Sequence, residues 1–279
     1  MRSMEGAVVL LTGATDGIGE QIATALAGMG ATVLLHGRDE RKAREVQERI
    51  RSRTENGQLR YHLADLSSLA EARRLAEEVA SDYDRLDVLI NNAGIMSQTR
   101  IVTDEGIEQT FAVNYLSPYL LTRLLIPSLR RAADAESPDG APSRVVNVTS
   151  AGQSPIDFSD PMLERGYDGM RAYGQSKLAL AMFTFELAEE LGETGITVNC
   201  LHPGTLLDTN MVRENFGSAM GSVEEGAEAV TYLATSPELE DVTGRYFDGK
   251  RESRVNEQAY DPQARDSLRN LSAEITGLG

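Results

Sequence analysis

The chain has 279 residues, 41% of them apolar and 25% charged, with a formal net charge of −16 at pH 7. That apolar share supports a packed core rather than disorder, and the acidity argues against a nucleic-acid partner, since gripping phosphates requires a basic face. A single cysteine, Cys200, excludes an internal disulfide and favours a reducing compartment.

The opening MRSMEG is too short and too polar for a signal peptide. No stretch approaches the roughly 20 apolar residues of a membrane span, so the expectation is a soluble protein of the cytoplasm. Runs rich in Val, Leu and Ile follow at 7–11, 32–36, 60–63, 88–91, 144–148 and 197–201. They show little alternation, which suits strands covered on both faces. Helical patterns separate them at 18–29 and 40–50, then to residue 80 from the capping-box pair Ser68 and Glu71, and at 116–129 and 173–191. A last helix is expected over 262–275. Strand–helix–strand repetition predicts an α/β fold with a doubly wound parallel sheet. A polar loop at 134–143 and an aperiodic stretch at 151–172 interrupt this rhythm without ending it, so 1–279 reads as one domain.

The first strand leaves through TGATDGIG, residues 12–19. Gly13 permits a sharp exit, and Gly17 and Gly19 let a pyrophosphate approach the backbone. The following helix offers free N–H groups and a favourable dipole. Gly13, Thr15, Asp16, Gly17, Ile18 and Gly19 are therefore candidates to hold a dinucleotide. The second strand ends in His36, Gly37 and Arg38, without the acid that NAD enzymes usually place there. Arg38 suits a phosphate instead, and residues 38–60 carry eight Lys/Arg against five Asp/Glu. NADP(H) is thus expected over NAD(H). Asp65, with Leu66 nearby, can accept from an adenine amino group. Asn91, Asn92, Ala93 and Gly94 end the fourth strand with small residues that let backbone near a cofactor.

Tyr173 and Lys177 share one helix face at i and i+4. A phenol, with its pKa near 10, is a poor acid or base at neutral pH, and a cation one turn away is expected to lower that value. Ser150, at the end of the fifth strand, could hydrogen-bond a reacting oxygen, with Thr149 the competing hydroxyl. Asn114, early in a long helix, could hold a water beside Lys177. Pro203, Gly204 and Thr205 could wall a nicotinamide. His36, His62 and His202 lack a metal-like spacing, and no metal is expected.

In this order, covering nearly the whole chain, these motifs resemble the short-chain dehydrogenase/reductases. The resemblance implies a Rossmann-type sheet of about seven strands, order 3-2-1-4-5-6-7, with helices on both faces. It also implies a catalytic tetrad of Asn114, Ser150, Tyr173 and Lys177. Tyr173 would be the general acid/base and Ser150 would orient the substrate oxygen. Lys177 would tune Tyr173 and bind the nicotinamide ribose, and Asn114 would support a proton relay. The insert at 151–172, SKLALAMFTFELAEEL, HPGT and the tail from about 250 look like the retinol dehydrogenase / WW-domain oxidoreductase-like branch. That branch implies carbonyl–alcohol interconversion on lipophilic small molecules. The insert, with Ile156, Phe158, Met162, Leu163 and Tyr167, is either a substrate lid or a loop packing its own cluster. Relatives associate through helices equivalent to 114–130 and 173–191, which makes Tyr119, Met182, Phe183 and Phe185 either interface candidates for a homodimer or homotetramer or simply core. A catalytically silent NADP(H)-binding regulator is the alternative, although it would not need Tyr173 and Lys177 together. A sugar-nucleotide epimerase or dehydratase would show a different glycine turn and a larger C-terminal region, and Ser150 lacks the Gly-x-Ser-x-Gly setting of a serine hydrolase.

Overall fold

A computed structural model describes residues 3–135 and 141–278. The expected polar loop at 134–143 falls largely on 136–140, outside the described residues. Eight strands form one sheet: β1 Val8–Leu11, β2 Thr32–Gly37, β3 Leu59–Leu63, β4 Val88–Asn91, β5 Ser143–Val148, β6 Ile196–His202, β7 Tyr246–Asp248 and β8 Arg251–Ser253. Their order is 3-2-1-4-5-6-7-8. All neighbours are parallel except β7 and β8, which pair antiparallel. β8 is one strand more than expected, three exposed residues at the sheet edge with no apolar run to announce them.

Alternate residues of the central strands feed two cores. Leu10, Leu34, Leu89, Val145 and Val198 point to one side. Val9, Val33, Val88, Ile90 and Val146 point to the other. The first side is covered by α3 (Leu69–Asp82), α5 (Ser117–Asp134) and α6 (Gly169–Leu191), the second by α1 (Gly17–Gly28), α2 (Glu40–Thr54) and α8 (Val223–Thr235). Short α4 (Gln109–Phe111) runs through a π-helical turn, Ala112–Leu116, into α5, so this helix starts well before the expected residue 116. The buried carboxylate of Glu108 causes the early start, accepting from the Thr110 and Phe111 N–H groups at 2.9 and 2.7 Å. The capping box at α3 is half formed. Ser68 Oγ accepts from Glu71 N–H at 3.4 Å, but the Glu71 carboxylate turns to Arg74 at 3.0 Å and Asp65 N–H at 3.3 Å.

The remaining helices are α7 (Asn210–Phe216) and α9 (Pro262–Thr276). Tyr119, Met182, Phe183 and Phe185, interface or core candidates on sequence grounds, are buried within the chain at 3, 0, 3 and 7% exposure; α9 packs on α6 and on the turn before α5, and Tyr260 stacks on Phe185. The 151–172 insert packs into the main core through Ile156, with Phe158 and Met162 alongside. Arg100 Nε donates to Met162 O at 3.0 Å, and Tyr167 Oη donates to Ser97 O at 3.1 Å.

Candidate active site

The glycine turn is built by packing against the chain itself. Gly13 lies at φ +65, and a Cβ there would come within 2.8 Å of Ala93 Cα. A Cβ on Gly19 would sit 2.0 Å from Gly13 O. Internal fit alone therefore requires glycine at position 19. Gly17, at φ +52, takes a backbone conformation that glycine tolerates best. Asp16 caps α1 through Gly17 N–H at 2.7 Å. The Ile18 N–H has no partner among the described residues and lies at the positive end of the α1 dipole, where it can donate to an anion.

His36 buttresses this turn, a role the sequence reading missed. Gly13 N–H donates to its Nδ1 at 3.2 Å, and its Nε2 bonds Ala64 O at 3.0 Å, which fixes the Nε2–H tautomer. Burial is the main influence on the ring and pushes its pKa down to about 4, against the Ala64 bond. The folded state thus holds His36 neutral while the unfolded chain protonates near 6.5. Stability from this group is complete above pH 6.5 and falls as pH drops through 4. A loss of about 3 kcal/mol across that window is expected, at about 1.4 kcal/mol per pKa unit. Melting temperatures of wild type and His36→Asn followed from pH 7 to 4 check it: equal slopes would refute the assignment.

The Asn residues after β4 tie strand ends together. Asn91 Nδ2 donates to Asn147 Oδ1 at 2.8 Å and Thr122 Oγ1 at 3.0 Å. Asn92 Nδ2 donates to Thr12 O and Gly13 O at 3.0 and 3.1 Å, and Thr12 Oγ1 accepts from the N–H groups of Asn92 and Ala93. Gly94 lies against Lys177 Nζ and Asn114 Oδ1, 3.2 and 3.4 Å from where its Cβ would be. Asn114 sits in the π turn, fully buried. Its Oδ1 accepts from Ile95 N–H at 2.8 Å, while Nδ2 donates to Ile95 O and Ser176 Oγ at 2.9 and 3.0 Å. Both amide hydrogens are engaged, so a water beside Lys177 would be held only through Oδ1.

Ser150, at the end of β5, meets Tyr173 and Lys177 on the first turns of α6. Thr149 is excluded as the competing hydroxyl, because it is buried and donates to Leu201 O at 2.9 Å. Ser150 Oγ accepts from Gly152 N–H at 3.0 Å, and Ser150 lies near enough to Tyr173 to favour its phenolate. Lys177 is 3% exposed, its Nζ donating to Val148 O at 2.9 Å and lying 5.7 Å from the Tyr173 ring centroid. Burial lowers the Lys177 pKa to about 8. Burial also pushes the Tyr173 phenol up, with Ser150 opposing. The expected lowering by Lys177 is thus not the direction found: losing solvent disfavours phenolate and ammonium alike.

Arg38 is exposed at the tip of β2 with no partner among the described residues. Arg44 and Arg49, by contrast, pair with Glu40 and Glu20, each at 2.7 Å. Asp65 accepts from Ser67 N–H at 2.9 Å, its other oxygen having no hydrogen-bond partner among the described residues, whereas the Leu66 side chain is core. Past β6, Thr205 Oγ1 bonds His202 Nε2 at 3.2 Å, and a Cβ on Gly204 would meet Leu207 at 2.8 Å, leaving Pro203 beside a tight fold-back. α7 then latches to both sides of the site. Asn210 Nδ2 donates to Asp16 Oδ2 at 2.6 Å, and Gln98 Nε2 donates to Asn215 Oδ1 at 2.9 Å. Nothing in the local pattern of residues 205–217 announced these latches.

A short chain dehydrogenase family model matches residues 7–219. The chain is 38% identical to retinol dehydrogenase 13 of Mus musculus, covering 99% of this chain and 85% of the relative. The crystal structure of an uncharacterised protein from Mycobacterium paratuberculosis superposes with a TM-score of 0.79 at 30% identity, covering 99% of this chain and 96% of that one. The Pseudomonas aeruginosa RhlG/NADP active-site complex gives a TM-score of 0.71 at 32% identity, covering 88% and 95%.

Proposed function

The chain belongs to the short chain dehydrogenase family, and from that premise we propose that it is an NADP(H)-dependent oxidoreductase interconverting an aldehyde or ketone with its alcohol on a lipophilic small molecule. The observation that carries this reading is the meeting of Ser150, Tyr173 and Lys177 at the end of β5, beside the turn that holds Asn114. The residues present fit a dinucleotide: an N–H at Ile18 and a guanidinium at Arg38 without partners among the described residues, and the bare backbone of Gly94. NADP(H), when bound, supplies or takes up the hydride.

The chain's own groups do the rest. In reduction Tyr173 gives its phenolic proton to the carbonyl oxygen, and in oxidation it takes a proton from the alcohol. Ser150 Oγ orients that oxygen. Lys177, held on Val148 O, keeps its charge one turn from the phenol, and Asn114 fixes the backbone at Ile95 against α6. The lipophilic class is supported by the retinol of the Mus musculus relative's name. It is also supported by Met170, Phe216 and Met220, exposed by 46, 43 and 77% on segments flanking the site. The test follows NADPH and NADH consumption across long-chain and aromatic aldehydes and ketones. Turnover favouring NADPH is expected. Equal use of both nucleotides would remove the NADP preference, and tight NADPH binding without turnover would favour the silent regulator.

A further inference from the structure

Ser150 stands just past the end of β5, where the sheet stops holding the chain. Thr149 N–H still donates to Leu201 O at 2.8 Å. The backbone then turns away through Ala151 and Gly152, both exposed. A hydroxyl that orients a reacting oxygen must be held to within about 0.5 Å, so something other than the strand has to fix this turn.

The restraint comes from a side chain three positions on. Gln153 Nε2 donates to Ser150 O at 2.7 Å, and Gln153 N–H closes the turn on Ala151 O at 3.0 Å. The other end of the same amide, Oε1, accepts from Asn256 N–H at 2.9 Å, 103 residues along the chain. One side chain thus joins the backbone of Ser150 to that of the C-terminal tail, with both the donor and the acceptor end of its amide engaged. The tail segment is itself held. Asn256 Oδ1 accepts from Gln258 N–H at 3.0 Å. Gln258 Oε1 accepts from Ile156 N–H at 2.7 Å, and its Nε2 donates to Ile156 O at 3.0 Å. On the opposite side Ser154 lies against α6 one residue after Tyr173: a Cβ on Gly174 would sit 2.9 Å from Ser154 N. Residues 153–156 are therefore wedged between the tail and the helical turn that carries the phenol.

We propose that Gln153 is a positioning residue for the reaction, carrying the rigidity of the tail at 256–258 to Ser150 and so fixing the hydroxyl that orients the substrate oxygen. The inference rests on the role given to Ser150, Tyr173 and Lys177 above. Single-turnover oxidation of bound NADPH by the best carbonyl substrate of that panel tests it, in wild type, Gln153→Met, Ser150→Ala and the double variant. Gln153→Met keeps the length of the side chain and removes both bonds. It is expected to slow turnover by about 10–100-fold, the scale of a misplaced reacting group, with NADPH affinity changed by no more than about two-fold. In the Ser150→Ala background, where no hydroxyl remains to be placed, the same change should cost no more than about two-fold, because the two residues act as one unit. Should Gln153→Met fail to bind NADPH, Gln153→Glu keeps the acceptor for Asn256 N–H, loses only the donor to Ser150, and is expected to behave alike. Wild-type turnover in Gln153→Met overturns the inference alone. Equal fold-losses in the two backgrounds, or lost NADPH binding in both Gln153 variants, would make the bridge merely structural and overturn it too. A wild type without turnover on the whole panel removes the reaction and this role together.

Discussion

Tyr173→Phe is expected to lower kcat for carbonyl reduction by about 10²–10⁴-fold, the usual contribution of a positioned general acid, with NADPH affinity changed by no more than a few-fold. The substitution keeps the ring near Lys177 Nζ and removes only the hydroxyl beside Ser150. The pH profile carries a second signature. Burial holds the phenol above its ordinary value, so the protonated form needed for reduction persists through neutral pH. Lys177, brought down to about 8, loses its charge first as pH rises. The alkaline limb of kcat should therefore fall near pH 8, ahead of any loss of the phenolic proton. Stopped-flow turnover of wild type and Tyr173→Phe from pH 6 to 10 measures both. Near-normal turnover in Tyr173→Phe would remove the acid/base role, and a flat wild-type profile to pH 10 would remove the one given to Lys177.

Arg38→Ala should raise the KM for NADPH by about 10–100-fold while leaving the KM for NADH nearly unchanged. That range matches about 1.5–3 kcal/mol for hydrogen bonds to a charged group. The basis is position: Arg38 stands exposed at the β2 tip without a partner among the described residues, while Arg41, Arg44, Arg49 and Arg51 on α2 are held by carboxylates. Arg38→Asp should go further and favour NADH, because an acid there repels a 2′-phosphate and can accept from a ribose hydroxyl. Steady-state kinetics with both nucleotides decide the matter. A proportional loss for NADPH and NADH would show that Arg38 holds the fold of the strand tip rather than reading the phosphate.

By itself the sequence determined much, though not all, of what depends on neighbours within about one helical turn: α8, with its Ser222/Glu225 capping box, went unread. Five mostly apolar runs marked β1, β2, β4, β5 and β6, because residues covered on both faces are mostly apolar, while the run at 60–63 fell on β3, the half-exposed strand at the sheet edge. Tyr173 and Lys177 were legible as a pair because four positions make one turn, and the glycine turn because three glycines stand between a strand and a helix. Short, exposed β8 and the helix start at Glu108 escaped, since neither carries a periodic signal of its own.

The tertiary structure decided everything that joins distant positions. Tyr115 and Ser272 are 157 residues apart, and their bond helps seat α9, which settles as core side chains that the sequence left as interface or core. Gly19 is bare because Gly13 O occupies the space of its Cβ, and His36 supports the turn from 23 residues away. The direction of the Tyr173 shift belongs here too. A pattern of residues shows that a cation is near a phenol, but the loss of water around both exists only once the chain has closed over them.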